Sequence, residues 1–151
     1  MKKQALLCFI AIYCCLLQSC QVQDTDAGSQ LKAKALEYIG SSYWRLIQIN
    51  GAEPVDTGAH LIFDIEAGKF SGNSGCNHIS GTAKIKEETI AFGSIITTEV
   101  ACMNEKLTKL EHDFMRLLSK GLFQYDIADQ TLNLYLNNKL VLMFGRYEPN
   151  E

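Results

Sequence analysis

Cys76 and His78 put a thiol and an imidazole two residues apart, and Cys102 and His60 are the other cysteine and histidine that bear on this region. In an extended backbone, residues two apart point to the same face, so Cys76 and His78 can be read as nucleophile and base. That chemistry also needs a third group to orient the base, and no acid close by in sequence supplies one. The alternative is a structural cysteine beside an exposed histidine. Zinc is the next reading, with Cys76, His78, Cys102 and His60 as ligands. It lacks a close Cys-x-x-Cys pair and a certain fourth ligand. Phosphate binding at Gly72-x-x-Gly75 is weaker still, because no Lys-Ser/Thr follows and no helix opens after it. The expectation is therefore no catalytic residue, no metal and no cofactor.

These side chains sit in Phe70-Ser71-Gly72-Asn73-Ser74-Gly75-Cys76-Asn77-His78-Ile79-Ser80-Gly81. Three glycines and two asparagines between apolar segments mark a sharp bend or a bulged strand pair, since Gly and Asn tolerate backbone conformations that other residues avoid.

The segments on either side read mainly as strands. Tyr43 to Ile49 is strand-like, followed by a turn at Asn50-Gly51. Trp44, the only tryptophan, reads as a core anchor rather than a cofactor platform. Leu61, Phe63 and Ile65 alternate, Glu66 to Lys69 turns, and Phe70 to Ser74 returns. Strands follow at Gly81–Lys86 and Thr89–Phe92 around Glu87-Glu88, and Ser94 to Thr98 is extended. From Glu105 to Lys120 the period becomes helical, with Leu107, Leu110, Phe114, Leu117 and Leu118 on one stripe. Asn104 is its N-cap, Gly121 its C-terminal glycine, and His112 lies on the solvent side. The last third is a meander through Phe123, Tyr125 and Ile127, then Leu132 to Leu136, then Leu140 to Phe144. Side-chain parity allows a two-residue turn at Asp129-Gln130. It predicts a three-residue loop at Asn137-Asn138-Lys139, which keeps Leu136 and Leu140 on one face. The fold class is mostly β (α+β), a small antiparallel β-barrel with one helix packed on it, which removes exposed edges.

Composition bounds the partners. The chain has 151 residues, a formal charge of −3 and no basic run, so nucleic acid is not an expected partner. Met1-Lys2-Lys3, the apolar run Ala5 to Leu17, and then Leu17-Gln18-Ser19-Cys20 resemble a bacterial lipoprotein signal (residues 1–19) with Cys20 as the lipidated residue. A plain secretory signal cleaved nearby is the alternative. Residues 20–38 read as a lipidated tether: 21–30 are flexible and polar, and Leu31 to Ile39 can form a turn or two of helix. Residues 39–147 read as the domain. Loss of the signal removes Cys8, Cys14 and Cys15. That leaves Cys76 and Cys102, in a compartment where disulfides persist. Two buried free thiols are the alternative to a bond. The membrane, through the lipid, and an envelope protein of unknown identity are the expected partners. Gln21, which is not an Asp, favours the outer membrane.

From Gly40 to Phe144 the chain resembles the META domain family. The resemblance rests on Trp44-Arg45-Leu46, Leu61-Ile62-Phe63, Phe70-Ser71-Gly72, Gly75-Cys76-Asn77 with Gly81, Thr98 to Ala101-Cys102, Glu111 with Phe114 and Leu117, and the strands at Leu132-Asn133-Leu134 and Leu142-Met143-Phe144. It implies a lipocalin-like antiparallel barrel with one helix. It also implies an envelope protein associated with heat shock, motility or drug tolerance, without established catalysis. Trp44, Gly72, Gly75, Cys76, Asn77, Gly81 and Cys102 are its motif residues, in structural roles. His78, Ala83 and Glu99 depart from the family pattern, so no polar surface site is carried over. A carrier of a small hydrophobic ligand is the second functional reading, because small barrels can enclose one.

Overall fold

The computed structural model describes residues 25–53 and 57–147. The expected signal segment and Cys20 lie outside them. The chain divides into two compact units, Met1–Leu31 and Lys32–Glu151. Of the first, residues 25–31 are helical; the rest of the description concerns the second. Among the described residues, no helix is long and apolar enough to cross a membrane.

Helix α1 (Thr25–Gly40) is longer than the turn or two expected at Leu31 to Ile39, so residues 25–30, expected to be flexible, are helical. Ala, Leu, Lys and Glu dominate its second half, and these are strong helix formers. Ile39 in its last turn is fully buried. Its terminal carbonyls are satisfied from the chain that follows. Ser42 Oγ donates to the Tyr38 carbonyl at 2.6 Å, and Trp44 Nε1 donates to the Ile39 carbonyl at 3.0 Å. Buried helix ends require such partners, and here the lone tryptophan provides one while its ring fills the core.

Eight strands follow: β1 (Tyr43–Ile49), β2 (His60–Asp64), β3 (Lys69–Asn73), β4 (His78–Lys86), β5 (Thr89–Thr97), β6 (Leu122–Ala128), β7 (Thr131–Leu136) and β8 (Lys139–Tyr147). Each pairs antiparallel with the next, and β8 pairs back onto β1, so the sheet closes into a ring. The two stretches expected at 89–92 and 94–98 are one strand, β5. It bulges near Ser94 (φ 48°), where the register with β4 slips between Ser80 and Thr82.

Alternation sends Trp44, Leu46, Leu61, Phe63, Phe70, Ile79, Ile90, Phe92, Phe123, Leu132, Leu134, Leu142 and Phe144 inward. Phe92 is the hub of the aromatic part, with ring centroids 5.1 Å from Phe70, 5.8 Å from Phe123 and 6.1 Å from Phe63. Such contacts add about 0.5–1.5 kcal/mol per pair beyond burial.

The turns at Asn50-Gly51 and Asp129-Gln130 have two residues each, all at positive φ; the Asn-Gly pair predicts the first, and side-chain parity allows the second. The β7–β8 turn corrects the expected three-residue loop. Leu136 pairs with Lys139 across Asn137-Asn138, at φ 51° and 61°. The parity conflict is absorbed two residues later. Leu134 faces Leu142 while Tyr135 faces Leu140, which leaves Val141 as the extra residue of a bulge. Val141 and Leu142 are consequently both buried, and the Val141 carbonyl accepts from the Asn50 amide at 2.8 Å.

Helix α2 (Glu105–Leu118) is capped by Asn104, whose Oδ1 accepts from the amides of Lys106 and Leu107. It buries Phe114, Leu117 and Leu118, and the Phe114 ring meets Phe144 at 6.1 Å. Leu107 and Leu110 are half-buried, and His112 is exposed. Among the described residues there are thus two helices, where one packed on the barrel was expected.

Candidate functional site

The bend between β3 and β4 is built by its own short side chains. Asn73 Oδ1 accepts from the Gly75 amide at 2.7 Å, and the Ser74 amide donates to the Asn77 carbonyl at 2.8 Å. Gly75 takes φ +124°, a conformation reserved for glycine. Gly72 is required by close approach: a Cβ there would sit 2.0 Å from the His60 carbonyl oxygen.

Asn77 occupies the centre. Its side-chain oxygen accepts from Thr98 Oγ1 at 2.8 Å and from the Val100 amide at 2.7 Å. Its Nδ2 donates to the Val100 carbonyl at 3.2 Å and to Glu111 Oε2 at 3.1 Å. An asparagine amide can make four such bonds, and this one makes all four. It therefore stands in for a strand neighbour to Val100. Glu111 Oε1 accepts from the Asn77 amide at 3.1 Å and, in a short hydrogen bond, from Ser74 Oγ. Ser74 and Asn77 are buried, and Glu111 on α2 is half-buried.

Cys76 and Cys102 form a disulfide, with Cα atoms 5.8 Å apart and a separation of 26 residues. Glu111 Oε2 lies 3.3 Å from Cys102 Sγ. A disulfide sulfur carries no proton, so this is a contact rather than a hydrogen bond. The bend is thus tied twice to the segment leading into α2, covalently through the cysteines and through the Asn77–Glu111 network.

The candidate residues sort accordingly. Cys76 and Cys102 come together; His60 and His78 do not join them. Glu111 takes their place, since a ligand atom from each of Cys76, Cys102 and Glu111 falls within 4.8 Å of the others. In the oxidised chain both sulfurs are committed to each other. His78 is exposed on β4, its amide bonded to Thr98 Oγ1 at 3.1 Å. His60 Nδ1 is 2.7 Å from the Gly58 carbonyl, and its ring stacks on Tyr43 at 4.2 Å. Trp44 is a core residue, and Gly81 lies against β5, where a Cβ would come within 2.7 Å of the Gly93 carbonyl oxygen.

Reading the side chains by type missed the roles of Ser74, Thr98 and Glu111. Glu111 had a signal. It falls on the spacing Leu107, Glu111, Phe114, Leu118, so a carboxylate rides on the packing stripe of α2.

A family model described as META domain matches residues 35–148. No curated protein matches the chain. Among solved structures, an NMR structure of a protein that is 24% identical covers 73% of this chain and 92% of its own, with a TM-score of 0.59, and shows the likeness of fold. An NMR structure of a protein from Burkholderia xenovorans is 26% identical. It covers 77% of this chain and 88% of its own, with a TM-score of 0.57.

Proposed function

The chain belongs to the META domain family, and from that premise we propose that it is a non-catalytic, lipid-anchored envelope protein whose domain serves as a structural or protein-interaction unit in stress or drug tolerance. The observation that carries the non-catalytic reading is how the polar groups of the bend are used. Ser74, Asn77 and Glu111 are bonded to one another, and both cysteines are bonded together. A nucleophile or general base must be free to approach a substrate proton or carbon, and these groups are engaged in holding the chain.

The same reading takes the closed antiparallel ring as a small lipocalin-like barrel. Its interior is occupied by Trp44, Phe63, Phe70, Phe92, Phe123 and Phe144, which supports a packed core over a ligand carrier. The anchor rests on Leu17-Gln18-Ser19-Cys20 after an apolar run. Gln21 after the lipid cysteine, which is not an Asp, favours the outer membrane in this reading, with an envelope protein as the partner.

The test is to express the wild-type chain and Cys20→Ala in a strain lacking the gene, then follow acyl labelling, membrane fractionation and survival of heat or drug challenge. The proposal expects labelling, anchoring and protection to be lost together in Cys20→Ala. Unchanged anchoring in that variant would overturn it.

A further inference from the structure

The Glu111 carboxylate has about four acceptor positions, and the bend uses three of them. Oε1 accepts from Ser74 Oγ and from the Asn77 amide, and Oε2 accepts from Asn77 Nδ2. Oε2 keeps one more position, and Cys102 Sγ lies 3.3 Å from that atom. In the disulfide this sulfur has no proton to give, so the contact joins an anionic oxygen to a group that cannot satisfy it. Among the described residues, no ion pair engages Glu111. A half-buried negative charge is therefore held by hydrogen bonds alone beside two sulfurs. Every copy of the chain is synthesised with thiols at Cys76 and Cys102, so a dithiol state precedes the bond. In that state the same oxygen faces a group that exchanges its proton for a metal ion.

We propose that the dithiol form of this site binds a divalent cation of the zinc class, with Cys76 and Cys102 as thiolate ligands, Glu111 as the third ligand and water in the fourth position. Binding releases the two thiol protons and forms two metal–sulfur bonds. A tetrahedral zinc site holds its sulfur and oxygen ligands roughly 3.6–3.8 Å apart. The three ligand atoms here lie within 4.8 Å of one another, and the cysteine Cα atoms are 5.8 Å apart, so rotation of the side chains brings them to that spacing. Two thiolates select a soft or borderline cation over magnesium or calcium, which take oxygen ligands. Ser74 and Asn77 already fix the carboxylate, as the partners of a metal ligand do. Cation and disulfide exclude each other. Forming the S–S bond passes two electrons to an oxidant of the disulfide class, which leaves as two thiols, and frees the cation. Both links join the bend to the same segment before α2, so the cation staples the domain before oxidation as the disulfide does after it. The proposal needs neither the anchor nor the stress role.

The test uses the full chain carrying Cys8→Ser, Cys14→Ser, Cys15→Ser and Cys20→Ser, so that Cys76 and Cys102 are its only cysteines. Reduced with a phosphine, this chain should bind one equivalent of Zn2+, read by competition with a chromogenic chelator. It should also bind one equivalent of Cd2+, read by thiolate-to-metal charge transfer in the ultraviolet. The oxidised chain should bind neither. Glu111→Gln, checked for folding by circular dichroism, should weaken Zn2+ binding at least about ten-fold while the charge-transfer band persists. With Glu111 intact, one equivalent of Zn2+ should slow formation of the Cys76–Cys102 bond several-fold when a small disulfide is the oxidant. Equal binding by the reduced and oxidised chains, a Zn2+ affinity indifferent to Glu111→Gln, or an oxidation rate indifferent to Zn2+ would each overturn the proposal.

Discussion

Asn77 Nδ2 donates to Glu111 Oε2 at 3.1 Å across 34 residues of chain, and the Asn77 amide donates to the other oxygen of the same carboxylate. One glutamate on α2 thereby holds both the side chain and the backbone of the β3–β4 bend. Ser74 Oγ adds a third bond, so the carboxylate is a clamp on the turn rather than a free base.

The disulfide acts beside this clamp. A closed loop of this size is worth about 3.5 kcal/mol on chain-entropy grounds. Reduction, or Cys76→Ser with Cys102→Ser, is expected to lower the free energy of urea unfolding by roughly that amount. The domain should stay folded, because Asn77 still links the bend to Val100. Non-reducing peptide mapping of protein isolated without reductant should recover the Cys76 and Cys102 peptides as one linked species. Recovery of both as free thiols would contradict the bond.

Phe114 is fully buried on α2. Phe114→Ala should cost about 3–5 kcal/mol, whereas His112→Ala, on the exposed face, should stay within about 0.5 kcal/mol of wild type. Chemical denaturation of the two variants checks this, and equal losses would mean that the packing face is a different one.

Tyr135 donates its hydroxyl to Asp126 Oδ2 at 2.9 Å, and this bond, with the charge of the same carboxylate, holds the phenol above its ordinary range. A folded-state value above the unfolded one contributes stability that is complete below the unfolded pKa and is lost as pH rises through the folded one. Asp126→Asn should return the Tyr135 titration toward the ordinary phenol value, as read by ultraviolet absorbance. An unchanged titration would remove Asp126 as the cause.

Much of this was legible in local pattern. Asn50-Gly51 names its own turn, side-chain parity allows the two-residue turn at Asp129-Gln130, Asn104 names the start of α2, and Cys76 and Cys102, the pair singled out as a disulfide candidate, are bonded. The β7–β8 connection was not legible, because parity shows that a register conflict exists but not where it is relieved. The strand relieves it at Val141, where no glycine or proline marks the bulge. The start of α1 at Thr25 was hidden by polar residues that suit a tether and a solvated helix equally well. Glu111 was visible as a residue type and as a family match, but its role required knowing that α2 lies against the bend. That is a tertiary fact with no local trace.

The most direct test of the clamp is a double-mutant cycle on Asn77→Ala and Glu111→Ala, measured by urea unfolding. Each single change leaves buried partners unsatisfied, at about 1–3 kcal/mol per group. Because each residue is the other's partner, the double variant should lose less than the two single losses combined, with a coupling of about 1–3 kcal/mol. Strictly additive losses would show that Asn77 and Glu111 stabilise the domain independently, and would contradict the clamp.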